Sequence, residues 1–307
     1  MKIRPFRFTV LGLSLLIPAA LCAVVLFLVV YSGQAIFFNG LHFLVDVNWN
    51  LGDLYSDPIS VHGVQVPPGA NYGILVFVAG TLASSGIAIL IAVPLAVGAA
   101  IFLAEVIPAK IRPVLSMLVE LIAVVPSVVF GLWGIAVLVP FIGHHLSPDG
   151  NGYGLLAASI VLALMITPII ASTLLDSLMQ VPRENRESAF ALGATHFEVV
   201  CKAMLPMVRA TLIGGIVLAL GRALGVTMAV LMVSGGGLNI LPSSLFSPIS
   251  TIASFVASQL DSAEGDPTNM SVRALAEIAL VLFVITLGVN ACAKLLTSGA
   301  FRVRKRA

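Results

Sequence analysis

Charge is what this chain has least of. Only 10% of its 307 residues are Asp, Glu, Lys or Arg, against 59% hydrophobic residues. A water-soluble domain of this length could not hide so much apolar surface, so lipid is the solvent the composition implies. Cysteine is scarce too: Cys22, Cys201 and Cys292 lie far apart, in or beside apolar runs, and fit no disulfide or metal spacing. They read as small buried hydrophobes. No Gly-x-x-x-x-Gly-Lys-[Ser/Thr] stretch occurs, nor any Gly-Lys pair, so the chain lacks that ATP-cradling loop. No metal site is expected, because the adjacent His144 and His145 cannot make a full ligand set. Alternating strands of about ten residues are missing, which argues against an outer-membrane barrel. Tandem repeats and low-complexity tracts are missing as well, and nothing suggests nucleic acid as a partner.

What is present is a series of apolar stretches, near residues 9–31, 72–102, 114–139, 154–180, 208–234 and 273–296. Each is long enough for a bilayer crossing of about 20 residues. Hydrocarbon demands internally paired backbone, so each is predicted to be a helix. The first run, Thr9–Tyr31, exceeds the h-region of a secretory signal and reads as a retained span. Ala19-Ala20-Leu21-Cys22 only faintly resembles a lipoprotein cleavage site. Pro18, Pro94, Pro126 and Pro168 fall inside spans, where each is predicted to kink or break its helix.

Fourteen of the sixteen basic residues lie at the two ends of the chain and near 103–113 and 181–209. The loops at 32–71, 140–153 and 235–270 hold none and carry Asp46, Asp53, Asp57, Asp149, Asp261, Glu264 and Asp266 instead. The positive-inside rule then predicts both termini in the cytoplasm. The cluster Arg302–Arg306 is expected to lie against anionic membrane lipid. Of the two remaining cations, Arg273 sits at the outer end of the last span, where it can snorkel. Arg222 sits near the middle of the fifth, where it should face protein or a watery path. Glu120 and Glu277 are intramembrane acids, open to either a functional or a structural pairing role.

The most specific pattern is cytoplasmic. Glu187-Ser188-Ala189-Phe190-Ala191-Leu192-Gly193 is followed, after nine residues, by Ala203 and then by Leu205-Pro206. Glu184–Leu192 suits a short helix that Gly193 stops. A second short segment should follow, with Pro206 starting the fifth span. Glu187, Ala189, Gly193, Leu205 and Pro206 resemble the EAA loop of ABC-importer permeases, with Ser188 and Ala203 as departures. Gly221-Arg222-Ala223-Leu224-Gly225-Val226-Thr227-Met228-Ala229-Val230 is similar to a segment of the PstC-type permeases of phosphate importers. So are Val125-Pro126-Ser127-Val128-Val129-Phe130-Gly131-Leu132-Trp133-Gly134, Ala191–Thr195 and the region near 282–287.

That resemblance, covering roughly 72–298, implies an all-α type I permease fold with six transmembrane helices and a cytoplasmic coupling helix. It implies a first region at 1–71 (tail, first helix and periplasmic loop), a five-helix permease core at 72–298 and a basic cytoplasmic tail at 299–307. It implies a bacterial inner-membrane permease subunit for inorganic phosphate that is not itself an enzyme and holds no cofactor. The implied partners are a PstA-type second permease, a PstB-type ATPase dimer that binds ATP and Mg, and a PstS-type periplasmic phosphate-binding protein. Arg222 suits an oxyanion path, since it stays charged and offers a planar fork of donors. Ser127 and Thr227 can add hydroxyls or can be small packing residues.

At Val226 this family carries Glu. The residues leave three arrangements open: Glu120 or Glu277 neutralises Arg222, a partner supplies the acid, or transport is weaker or different. A permease for another oxyanion (molybdate or sulfate) and a non-conducting membrane scaffold or sensor are the alternatives. A proton-coupled secondary transporter fits less well, given the EAA-type loop.

Overall fold

The structure is a computed structural model and describes residues 3–61 and 63–304. Lys2 and the end of the predicted lipid-facing tail, Lys305 and Arg306, lie outside the described residues. Among the described residues six helices are long and apolar enough to cross a membrane: Val10–Leu44, Leu75–Val106, Ser127–His145, Leu155–Met179, His196–Leu224 and Met270–Cys292. Contacts group the chain into two units, the N-terminal stretch to Leu75 with Ser258–Val284, and Val76–Ala257 with the chain from Ile285 on.

In the first unit, α1 (Ile3–Asn39) exposes Leu13, Leu16, Ile17, Phe27 and Val30. A face of that kind belongs against lipid. Gly40, in the left-handed region at φ 55°, opens a 3-10 turn over Gly40–Leu44. The loop that follows is not structureless: β1 (Trp49–Asn50) pairs antiparallel with β4 (Asn71–Tyr72), and β2 (Ile59–Val61) with β3 (Val64–Val66). Tyr72 is buried against Trp49, ring centroids 5.1 Å apart, and its hydroxyl lies 3.2 Å from Ser271 Oγ. Burial pushes the Tyr72 phenol up to about 12. Ser271 lies in the first turn of α12 (Met270–Arg304), which follows α11 (Ile252–Glu264), and also donates to the buried Asp266, which accepts as well from the Thr268 amide and hydroxyl. Burial alone would raise the Asp266 carboxyl, but those four donors outweigh it and hold it below its ordinary value. Arg273, which the sequence suggested would snorkel, packs over the Tyr31 ring at 5.9 Å, a cation–π contact.

The second unit is built around α6 (Leu155–Met179), whose Ala158, Val161, Leu162, Ile166 and Ile170 are fully buried. Along α2 (Leu75–Ile101), Ala88, Ala92, Ala96 and Ala100 recur every four residues and are all 0% exposed. Side chains four apart share one helix face, and this small-residue face permits close helix approach.

Two predicted spans are broken. The predicted 114–139 helix divides into α3 (Arg112–Val124) and α4 (Ser127–Trp133), the latter running on through a π-turn at Gly134–Leu138 into α5 (Val139–His145). Pro126 has no N–H to donate and disfavours helical geometry at Val125, whose ψ is 131°. The membrane-crossing segment is therefore Ser127–His145 rather than 114–139. The predicted 208–234 helix likewise divides into α9 (Leu205–Leu224) and α10 (Met228–Val233), separated by Gly225-Val226-Thr227. Glycine and two β-branched residues in succession are weak helix formers. Pro18, Pro94 and Pro168, by contrast, stay inside continuous helices.

α4 and α10 pack closely. A Cβ on Gly131 would lie 2.7 Å from Met232 Sδ and 3.1 Å from Ala229 Cα, and one on Gly134 would lie 2.6 Å from Val233 Cγ1. Gly235 (φ 78°) and Gly236 (φ 64°) follow the end of α10. The cysteines differ from expectation: Cys22 and Cys292 are exposed and Cys201 is half-buried. In a chain bathed in hydrocarbon an apolar thiol needs no protein core around it.

Candidate functional site: a cavity at two helix breaks and an elbow

The two interruptions meet. A cavity of about 760 Å³ is bordered by Val125, Pro126 and Ser127 at the first break, by Gly225, Val226 and Thr227 at the second, and by Arg222 and Met165. Four residues singled out in the sequence, Arg222, Ser127, Thr227 and Val226, thus line one space. Arg222 belongs to the last turn of α9, where the helix dipole favours a cation. It is exposed, and among the described residues no carboxylate pairs with it. Ser127 opens the helix that runs to His145, whose first amides have no intrahelical partner and carry positive partial charge. Thr227 Oγ1 makes only a long bond of 3.4 Å to Gly225 O, which leaves hydroxyl capacity for a ligand.

Val226 is only 8% exposed and belongs to the main apolar cluster with Ala223, Ala229 and Val230. Residues 222 and 226 do not share one helix face, because α9 ends at Leu224. Neither acid suggested as a charge partner pairs with Arg222. Glu120 is exposed on α3, and Glu277 is buried on α12, where it accepts a 2.8 Å bond from Asn39 Nδ2. The cavity lining holds one cation, two hydroxyls and no carboxylate.

At the other end of the second unit lies the elbow. The predicted helix Glu184–Leu192 is found as α7 (Arg183–Ala191), and Gly193 stops it in the left-handed region at φ 83°. The Gly193 amide bonds Phe190 O and the Ala194 amide bonds Ala189 O, so the last carbonyls are satisfied. A capping box then starts the next segment: the Glu198 amide donates to Thr195 Oγ1, and Thr195 N–H donates to the Glu198 carboxylate. This is α8 (His196–Glu198).

Here the structure departs from expectation. No stop precedes Pro206; a π-turn at Val199–Met204 joins α8 to α9, with the Leu205 amide bonding Val200 O five residues back. The wider turn accommodates a proline that cannot donate to its own i−4 carbonyl. Glu187 is exposed, and so are the apolar Phe190, Leu192 and Phe197 at 46%, 90% and 76%. Ala189 instead packs on a second apolar cluster of Ala100, Leu103, Leu174, Leu178, Val200 and Met204, which gathers the ends of α2 and α6 and the approach to α9.

Sequence reading missed one feature. Arg186 of α7 forms an ion pair with Glu105 at 2.8 Å and donates to Leu178 O at 3.0 Å. Arg112 caps the same region, donating to Ala104 O at 2.7 Å and Ile107 O at 3.1 Å. Arg186 and Glu105 lie far apart in sequence, and no spacing signals their pairing.

Comparison with known proteins follows the same lines. The family described as "Binding-protein-dependent transport system inner membrane component" matches residues 92–299. "Phosphate transport system permease protein PstC 1" of Mycobacterium tuberculosis is 45% identical over 284 residues, covering 87% of this chain and 84% of that one. The PstC protein of Haemophilus influenzae is 38% identical over 299 residues, 92% and 88% of the two chains. Among solved structures, a chain of the bacterial alginate ABC transporter, in complex with its pentasaccharide-bound periplasmic protein, has TM-score 0.62 at 16% identity, covering 96% of this chain and 97% of that one. A chain of the inward-facing MetNI methionine ABC transporter has TM-score 0.54 at 18% identity, covering 74% and 94%. At such identity these two speak for the fold.

Proposed function

Because the chain belongs to the inner-membrane-component family of binding-protein-dependent transport systems, and within it to the PstC-type permeases, we propose that it carries inorganic phosphate across the bacterial cytoplasmic membrane, driven by a separate ATPase. It is a multi-pass inner-membrane protein with the all-α type I fold of ABC-importer permeases. Both termini are read as cytoplasmic, on the strength of the Lys and Arg distribution. ATP and Mg are read as the business of a PstB-type ATPase dimer. A PstA-type permease completes the path and a PstS-type binding protein delivers the anion. The chain itself is read as having no catalytic residue and no cofactor.

One observation carries the reading: Arg222, without a carboxylate partner among the described residues, borders an open cavity at the breaks in two helices. Its fixed positive charge and forked donors suit a tetrahedral oxyanion. Ser127 and Thr227 add hydroxyl donors beside it. Because Arg222 is exposed, its attraction is weakened by water, which favours passage over retention. The elbow supplies the drive. Its exposed Phe190, Leu192 and Phe197 form a docking face for the ATPase, and Ala189 rests on the cluster that gathers α2, α6 and α9. Two of those helices, α6 and α9, also contribute Met165 and Arg222 to the cavity. The test is co-purification with the other three components, followed by ATP-dependent uptake of labelled phosphate into vesicles. Failure to assemble, or assembly without uptake, overturns the reading.

A second reading is favoured by the absence of a carboxylate from the cavity lining. Protonated phosphate has an O–H to donate to such a group, whereas sulfate and molybdate have none. A cavity without it lacks one means of telling them apart. Strong inhibition of phosphate uptake by sulfate or molybdate, in a variant complex that works without its binding protein, supports this second reading; no inhibition excludes it.

A further inference from the structure

Arg186 leaves the exposed elbow and enters the bundle. Its guanidinium meets Glu105 at 2.8 Å with one nitrogen and Leu178 O at 3.0 Å with another, the Glu105 side chain being only 10% exposed and that of Arg186 25%. Glu105 lies in a π-turn, Phe102–Val106, that closes the inner end of α2. Leu178 lies in the last turn of α6. One side chain of the elbow is therefore fastened to the ends of two spanning helices at once. The rest of the elbow touches the bundle through small or apolar residues such as Ala189 and Ala194, and van der Waals contacts of that kind can slide. A charged pair at ion-pair distance, whose cation also holds a helix-end carbonyl, cannot slide without losing its partner. Leaving either charge alone in a half-buried site is costly. The π-turn on the Glu105 side, and another at Val199–Met204 beyond the elbow, are the deformable segments around this fixed point.

We propose that Arg186 and Glu105 form the positioning pair through which a push on the elbow becomes a displacement of the inner ends of α2 and α6. Neither residue touches substrate or nucleotide. Without the pair, the ATPase still engages the elbow and turns over, but the helices no longer follow. The proposal rests on the importer reading above.

The experiment uses the full four-component complex in vesicles, with ATP hydrolysis and labelled phosphate uptake measured on the same preparation. Uptake by the unaltered complex tests the importer reading. The ratio of uptake to ATP hydrolysed tests the pair. Glu105→Gln should leave assembly and ATP turnover within about twofold and lower that ratio by about tenfold, the order expected for losing a partly buried ion pair. The exchanged pair, Glu105→Arg with Arg186→Glu, should recover much of the ratio. An unchanged ratio in Glu105→Gln overturns the proposal, whether or not both rates fall together.

A second readout needs no substrate. Spin labels at the exposed positions Glu184 and Val106, with the native cysteines replaced, report whether elbow and α2 end move together. One narrow distance in every nucleotide state is expected, broadening in Glu105→Gln. A distance that shifts with nucleotide in the unaltered pair contradicts the proposal.

Discussion

Val226→Glu adds a carboxylate to the cavity that Arg222 borders. The structure argues that this costs transport. Val226 is 8% exposed and packed with Ala223, Ala229 and Val230, so a longer side chain must turn toward the cavity or strain the core. Overpacking of that kind costs about 1–3 kcal/mol of stability. A carboxylate in the cavity also offsets the charge of Arg222, the only charged residue in its lining. Two unit charges 4 Å apart in water interact by about 1 kcal/mol, so a dianion loses about 2 kcal/mol of attraction. At about 1.36 kcal/mol per factor of ten, uptake should fall by roughly 30-fold at low salt.

The bulk effect is separated from the charge by Val226→Gln, which has nearly the same shape. Both variants are assembled with the partner subunits and assayed for ATP-driven uptake of labelled phosphate, at matched protein and two ionic strengths. The Gln variant should keep most of its uptake and the Glu variant should lose it. Raising salt should narrow the gap, because screening acts on the charge alone. A several-fold gain of uptake in Val226→Glu would refute the reasoning and mean that Arg222 works only as a member of a pair.

Two further predictions concern the scaffold. Asp266 has its folded-state pKa held below the ordinary carboxylate value by bonds from Thr268 and Ser271, so it stabilises the fold fully above about pH 4 and loses that contribution as pH falls through the folded value. Asp266→Asn should therefore lower the melting temperature at pH 7 and have progressively less effect below pH 4, measured by thermal melts in detergent; a pH-independent difference contradicts it. Gly131→Ala drives a methyl to within 2.7 Å of Met232 Sδ and 3.1 Å of Ala229 Cα, and should cost about 1–3 kcal/mol in denaturant titration, whereas a neutral result means α4 and α10 are less tightly packed than described.

The spans were legible in the sequence because hydrocarbon imposes a simple requirement, some twenty apolar residues in helical form. Their interruptions were only half legible. Pro126 announces the first break chemically. Gly225-Val226-Thr227 carries no proline, and its apolar character blends into the residues on either side. The elbow could be read because Gly193 is needed for a left-handed stop, but the π-turn before Pro206 could not, since it depends on how a bundle absorbs a missing N–H. Arg222 was recognisable as a cation with no business in lipid. Its surroundings were not: pairing with Glu120 or Glu277 was plausible by charge, yet Glu120 lies exposed and Glu277 is held by Asn39. Charge in a sequence says that a partner is needed, and only the packing of helices says which. The Arg186–Glu105 pair shows the same limit from the other side, as a contact between distant segments that no local pattern marks.

The most direct test of the transport path is Arg222→Ala in the complete, reconstituted complex, with ATP enclosed and the binding protein and labelled phosphate outside. Assembly and basal ATP hydrolysis should persist while phosphate accumulation falls by at least about tenfold, the equivalent of about 1.4 kcal/mol at the barrier. Accumulation at the unaltered rate would contradict the account, because phosphate would then be crossing without the one charge that borders the cavity.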